Sequence, residues 1–167
     1  MDIVYSPPVV EFVTVATEFC AYLEQSEERD RNEFVGRLLK VLPLLYLKAT
    51  LLPHVEGDAD FSPETYVTEQ DYNWVRAVIA DVMGEEDEYE DFVYDEAVQM
   101  EETRWMSVAE GLADIYQAVR DFVECFRNGV EENIEEALWA VSDHFELYWG
   151  ANLVDTLRRL HRIYYIS

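Results

Sequence analysis

The sequence predicts an all-α protein, a single-domain bundle of five to six helices with a kinked, mostly buried second helix. Three observations predict it. Apolar residues recur at three-and-four spacing through most of the chain, and no strand-length alternating run stands between them. Helix-start and helix-stop residues fall where those stripes begin and end. Finally, 167 residues that are 50% hydrophobic and 14% aromatic supply a core for one domain, taken as residues 1–167.

The first helix is expected to begin after Pro7-Pro8, since proline suits a first helical turn. Its stripe is Val9, Phe12, Val13, Ala16, Cys20 and Leu23. Asp30, with Glu33 three residues on, reads as the cap of a second helix. From Leu38 to Leu52 that helix is apolar on nearly every side, which suits a central position. The run is shorter than a membrane span and carries Lys40 and Lys48. Pro43 inside it removes a backbone donor and predicts a kink or break near residues 40–42.

Prolines, Gly57 and scattered acids make residues 53–67 a loop. Thr68 and Asp71 cap a third helix with the stripe Tyr72, Val75, Val78, Ile79 and Val82, stopped by Gly84. The seven residues from Glu85 to Asp91 hold six acids and read as a self-repelling, solvated loop, part of an acidic loop near 84–95. Ser107 with Glu110 forms a capping box for the next helix, which Asn128-Gly129 ends. Ile134, Leu138, Val141, Phe145 and Trp149 mark another helix, bent or interrupted at Gly150 before the stripe resumes at Leu153.

Charge is distributed unevenly. The chain is net −24, and residues 54–102 supply −16 of this, with 17 acids against the lone Arg76. So many aromatics exclude disorder as the reason for that acidity. A surface of this sign repels nucleic acid and anionic membranes, so neither is expected as a direct partner. The opening residues lack a signal-peptide layout, and a cytoplasmic location is expected. Cys20 and Cys125 lie among apolar residues without C-x-x-C spacing and read as reduced core thiols.

Motifs for chemistry are weak. Asp58, Asp60, Ser62, Glu64 and Glu69 have the oxygen spacing of a calcium loop, but Pro63 occupies the place that needs glycine. Glu132 and Glu135 supply half of the paired Glu-x-x-Glu and Glu-x-x-Asp set of magnesium-dependent, all-helical nucleotide pyrophosphatases, and the second half is missing. Favourable charge at a helix start explains them as well. None of His54, His144 or His161 sits in a metal-binding pattern, and there is no nucleophile elbow or phosphate loop. No catalytic residue, metal ligand or cofactor is therefore assigned. Arg158 and Arg162, one turn apart in a weakly basic C-terminal segment, are expected to pair with acids of the same chain or of a second copy, a homo-oligomer being open.

Two segments look familiar, Leu42 to Ala49 with Leu51-Leu52-Pro53, and Trp149-Gly150 followed by Leu153, Leu157, Arg158, Leu160 and His161. With the opening Val10 to Ala16, they resemble a bacterial all-helical family known only as a domain of unknown function. That resemblance implies a helical fold over most of the chain and carries over no catalytic residue. The acidic middle lies outside the matching segments.

Function is therefore expected at the acidic face, residues 56–102, docking a basic protein partner, since a one-signed patch steers association and selects partner charge. The residues expected at that contact are Tyr66, Tyr72, Trp74, Glu85, Glu86, Asp87, Glu88, Tyr89, Glu90, Asp91, Phe92 and Tyr94, aromatics supplying the anchors. The pyrophosphatase-like enzyme is the alternative, and an acidic skin that serves solubility alone is the plain one.

Overall fold

The structure, a computed structural model, describes residues 2–58, 60 and 62–166. It is mostly helical. A short 3-10 turn, Ile3–Tyr5, leads into α1 (Pro7–Glu24), α2 (Arg31–Thr50) and α3 (Glu69–Met83). A 3-10 turn, Gly84–Glu86, then opens an antiparallel hairpin of β1 (Glu88–Asp95) and β2 (Met100–Ser107). α4 (Val108–Asn128), α5 (Glu131–His144) and α6 (Gly150–Tyr165) complete the chain, the last two joined by a π turn at Phe145–Trp149.

The helix boundaries follow the local chemistry of the sequence. Pro7 and Pro8 occupy the first turn of α1. Asp30 caps α2 by accepting the Glu33 amide at 3.0 Å. Thr68 and Asp71 form a reciprocal capping box on α3. Gly84 (φ +56°) and Gly129 (φ +73°) end α3 and α4 in the left-handed region that favours glycine.

Two corrections concern the placing of elements. The central helix is α4, which packs against α1, α3, α5 and α6 and buries a broad face from Val108 to Cys125. The second helix lies outside it, resting on α1 and α6, with only Phe34, Val35, Leu38, Leu42, Leu45 and Ala49 buried. Of the kink or break expected near residues 40–42, no break occurs, Pro43 sitting on the outer side of a helix that runs unbroken from Arg31 to Thr50. Tolerance there follows from exposure, because solvent can satisfy the carbonyl that proline leaves without its helical donor. Apolar residues all round a helix thus mark one face in the core and a second face left in water.

The core is continuous across the helices. Phe12, Phe122 and Trp149 meet at its middle, with ring centroids 5.8 Å and 6.2 Å from Phe12. The Trp149 indole donates to the Val141 carbonyl at 2.9 Å, tying the π turn to α5. Gly150, directly after the turn, passes the Phe145 carbonyl so closely that a Cβ there would lie 2.3 Å from the oxygen. Cys20 and Cys125 are buried free thiols, as expected.

The 53–67 segment is irregular, and Ala59 and Phe61 in it lie outside the described residues. It is nonetheless anchored. Asp121 on α4 accepts the Tyr66 and Val67 amides, both at 2.8 Å, while Gly57 lies flat on the Trp139 ring. Burial pushes the Asp121 carboxyl above the usual range against the lowering effect of the two amides. Among the described residues, no helix is long and apolar enough to cross a membrane.

Candidate functional site

The acidic block is a strand rather than a loop, which corrects both the all-α class and the acidic loop expected near 84–95. Glu88–Asp95 pairs with Met100–Ser107 over all eight residues, from Glu88 opposite Ser107 to Asp95 opposite Met100. The strand was invisible to alternation because most of the described hairpin residues are exposed, Tyr89 being packed against the core. What favours it is the interleaved Tyr89, Phe92 and Tyr94, whose shapes suit extended backbone. The connecting turn, residues 96–99, carries no Asn-Gly or Asp-Gly signal. Asp95 accepts the Ala97 amide at 2.9 Å, and Gln99 takes the left-handed conformation at φ +53°.

The hairpin is stapled to the bundle by its own acids. Asp87, only 8% exposed, accepts the Ala109 amide at 2.7 Å and the Ser107 hydroxyl at 2.8 Å, and its carbonyl accepts the Val108 amide at 3.0 Å. It therefore caps α4 from across the hairpin. Ser107 accepts the Glu110 amide at 3.2 Å, the expected half of the capping box, while Asp87 satisfies an amide of the first turn. Asp91 receives Arg158, as expected, and Glu86 receives Arg159 at 2.9 Å, whereas Arg162, also expected to pair, makes no ion pair among the described residues. The Arg159 guanidinium also stacks 4.7 Å from the Tyr89 ring centre. Burial raises the Tyr89 phenol, and so do the nearby Asp91 and Asp155 carboxylates.

Alternation across the strands gathers one set of exposed side chains on a common face. Glu88, Glu90, Phe92 and Tyr94 share it with their partners Ser107, Trp105, Thr103 and Glu101. Trp105 and Phe92 are each 72% exposed and Tyr94 57%, unusual values for large aromatic side chains in a protein with a complete core. Glu85, Glu88, Glu90, Glu96 and Glu101 are exposed around them and have no ion-pair partner among the described residues. Beneath the hairpin's base lies an open cleft of about 670 Å³, walled by Trp105, Tyr148 and Leu147 and edged by Glu110, Asp114 and Asp155. The Asp155 carboxyl is pushed up by burial and by Asp91, against Arg158.

The twelve residues expected at the contact therefore fall into separate places. Glu88, Glu90, Phe92 and Tyr94 come together on one hairpin face, with Glu85 exposed on the 3-10 turn before it. Glu86 and Asp87, at the end of that turn, and Tyr89 and Asp91, on β1, make the contacts that hold the hairpin to the bundle. Tyr66 lies at the far end of α4, accepting Asn128 at 2.7 Å, and Tyr72 donates to Asp114 at 2.6 Å. Trp74, 46% exposed, stands on α3 beside Glu27 and Glu28 at the α1–α2 connection. Trp105 was missed because it lies just past the acidic stretch. Its only sequence signal was an aromatic residue in a polar run.

The residues weighed for metal chemistry do not converge. Among the described residues, no three His, Cys, Asp or Glu side chains are placed to hold a metal ion. Glu132 and Glu135 are exposed in the first turns of α5, and the neighbouring Glu131 carboxyl, raised by a hydrogen bond with Asp2, faces the N-terminal turn. Asp58 accepts the Asp60 amide at 2.9 Å, as in a simple polar turn.

Comparison with known proteins yields relatives without a described activity. No curated protein matches the chain. The crystal structure of protein BF1032 from Bacteroides fragilis is 42% identical, with a TM-score of 0.86 over 99% of this chain and 97% of that one. The family model for the domain of unknown function DUF5063 matches residues 3–166. With nearly its whole length covered by that model, this chain belongs to the DUF5063 family.

Proposed function

We propose that the chain is a non-enzymatic, cytoplasmic interaction protein whose acidic hairpin docks a basic protein partner. One observation carries the reading: Phe92, Tyr94 and Trp105 stand exposed on a single hairpin face, among carboxylates that have no ion-pair partner among the described residues. Interfaces are built this way, with aromatic anchors supplying affinity and the charged rim supplying approach and selectivity. A surface serving solubility alone gains nothing from three large exposed rings. The inward Glu86, Asp87 and Asp91 hold the hairpin in place, so a partner meets a preformed element.

The test is an array of Lys/Arg-rich peptides probed with the folded protein, followed by titration of the tightest peptide. Binding is expected to weaken steeply as salt rises above about 0.15 M, where screening acts over roughly 8 Å. Replacing Glu88, Glu90 and Glu101 by Gln is expected to slow association, and Trp105→Ala to speed dissociation, with the fold intact in both. Peptide binding that ignores all of these substitutions refutes the proposal. If the Gln variant alters only the solubility of the protein, the acidic skin is left as a solubilising surface.

A further inference from the structure

The outer side of α2 carries an apolar row that the rest of the fold leaves uncovered. Pro43, Leu44, Leu47 and Leu51 follow one another at helical spacing, and the three leucines are 43%, 50% and 51% exposed. The row is bounded on both sides by contacts within the chain. Lys48 turns to Glu11 of α1 at 3.5 Å, and the Tyr46 ring leans on Phe145 at 5.1 Å between centroids. Close packing on α6 fixes the helix, since a Cβ at Gly36 would lie 3.0 Å from the Tyr164 ring.

The same segment is where the chain's charge changes character. The 22 residues between Glu33 and Glu56 contain no acid, while they contain Arg37, Lys40 and Lys48, the only two lysines of the protein among them. All 36 acids lie in the other 145 residues. Two molecules of net charge −24 repel one another over nearly every face, and this is the face on which close approach costs least.

We propose that the α2 face joins two copies of this chain across a two-fold axis, with α2 antiparallel to its mate. A two-fold contact uses one self-complementary patch on both partners, and an apolar row flanked by cations at one end has that property. With the axis near Leu44 and Leu47, leucines meet leucines at the centre. Arg37 and Lys40 of each copy then lie toward the C-terminal end of the other copy's α2. That end carries the negative pole of the helix and is followed in sequence by Glu56 and Asp58. The proposal is independent of the hairpin reading, and its salt dependence has the opposite sign. Screening relieves repulsion between the copies and strengthens this contact, whereas it weakens the docking of a basic partner.

Sedimentation of the full chain from low to high micromolar concentration, at low and high salt, tests it. A species of twice 19.6 kDa is expected, more populated at high salt. Leu47→Glu is expected to weaken self-association by about 100-fold, since it sets two carboxylates against each other at the centre of the contact. Leu47→Cys is expected to yield a disulfide-linked dimer under copper–phenanthroline, while Thr103→Cys on the hairpin does not. The native Cys20 and Cys125 are 0% and 3% exposed and stay silent. If Leu47→Glu impairs folding, the cross-linking of Leu47→Cys decides. A wild-type chain that stays monomeric throughout, a dimer unaffected by folded Leu47→Glu, or absent cross-linking at residue 47 overturns the proposal.

Discussion

Asp87 stands among six acids that look interchangeable in sequence, and replacing it by Ala is expected to behave unlike replacing any other. The substitution removes the acceptor of the Ala109 amide at 2.7 Å and the partner of the Ser107 hydroxyl at 2.8 Å. Ala109 is 1% exposed, so water cannot easily take over, and a buried amide left without an acceptor costs about 1–3 kcal/mol. Loss of a negative charge at the N-terminus of α4 adds roughly 0.3–1 kcal/mol. The total is about 3 kcal/mol, and for a chain of this length each kcal/mol lowers Tm by about 2–4 °C, giving a fall of roughly 6–12 °C. Asp87→Asn keeps one acceptor oxygen and is expected to lose about half as much. The assay is urea and thermal unfolding followed by circular dichroism, with Glu85→Ala and Glu90→Ala as exposed controls that should stay within about 0.5 kcal/mol of the parent. If Asp87→Ala costs no more than Glu90→Ala, the argument that this acid staples the hairpin to α4 is wrong.

Two further predictions concern the scaffold. Gly150→Ala places a Cβ 2.3 Å from the Phe145 carbonyl and 2.8 Å from its ring, so it is expected to destabilise by about 1–3 kcal/mol in the same unfolding assay, where an unstrained helical Gly→Ala would stabilise. Alkaline pH is expected to unfold the protein through two phenols, the buried Tyr116 and the half-buried Tyr72. Burial raises Tyr116 and Tyr72, and each is held further up by the carboxylate it donates to, Glu24 and Asp114 respectively. Because the folded state keeps these protons longer than the unfolded one, their contribution is complete below about pH 10, the unfolded value, and is lost as pH rises toward the folded values. Absorbance titration should show the exposed tyrosines ionising first and these two only as the fold opens. Tyr116→Phe should reduce the alkaline loss, and an unchanged pH profile in that variant would refute the assignment.

Much of the helical frame was legible along the chain. Pro7-Pro8, Asp30, Thr68 with Asp71, Ser107 and Gly129 mark helix ends through contacts made within a few residues, so they act wherever the helix packs. Buried stripes such as Val9, Phe12, Ala16 and Cys20 were legible for the same reason, because a 3.6-residue period is a local property. The overall charge and the inertness expected of two isolated cysteines also come from residue types alone.

The hairpin and its surface were decided elsewhere. Two strands whose described residues are mostly exposed carry no apolar period to read, and β1 exists because β2, Asp87, Arg158 and Arg159 hold it from distant points of the chain. Seven residues with six acids look equally solvated until contacts separate Asp87, which is buried, from Glu85 and Glu90, which are not. The place of α2 was misread as central, since an apolar stripe on nearly every side suits the middle of a bundle and nothing local shows that one face stays uncovered. Packing α4 between α1, α3, α5 and α6 settled it, moving Leu44, Leu47 and Leu51 into water. Local chemistry thus determined where helices start and stop, whereas only the tertiary structure decided which acids are internal and which apolar residues remain exposed, because burial is a property of neighbours far away in the chain.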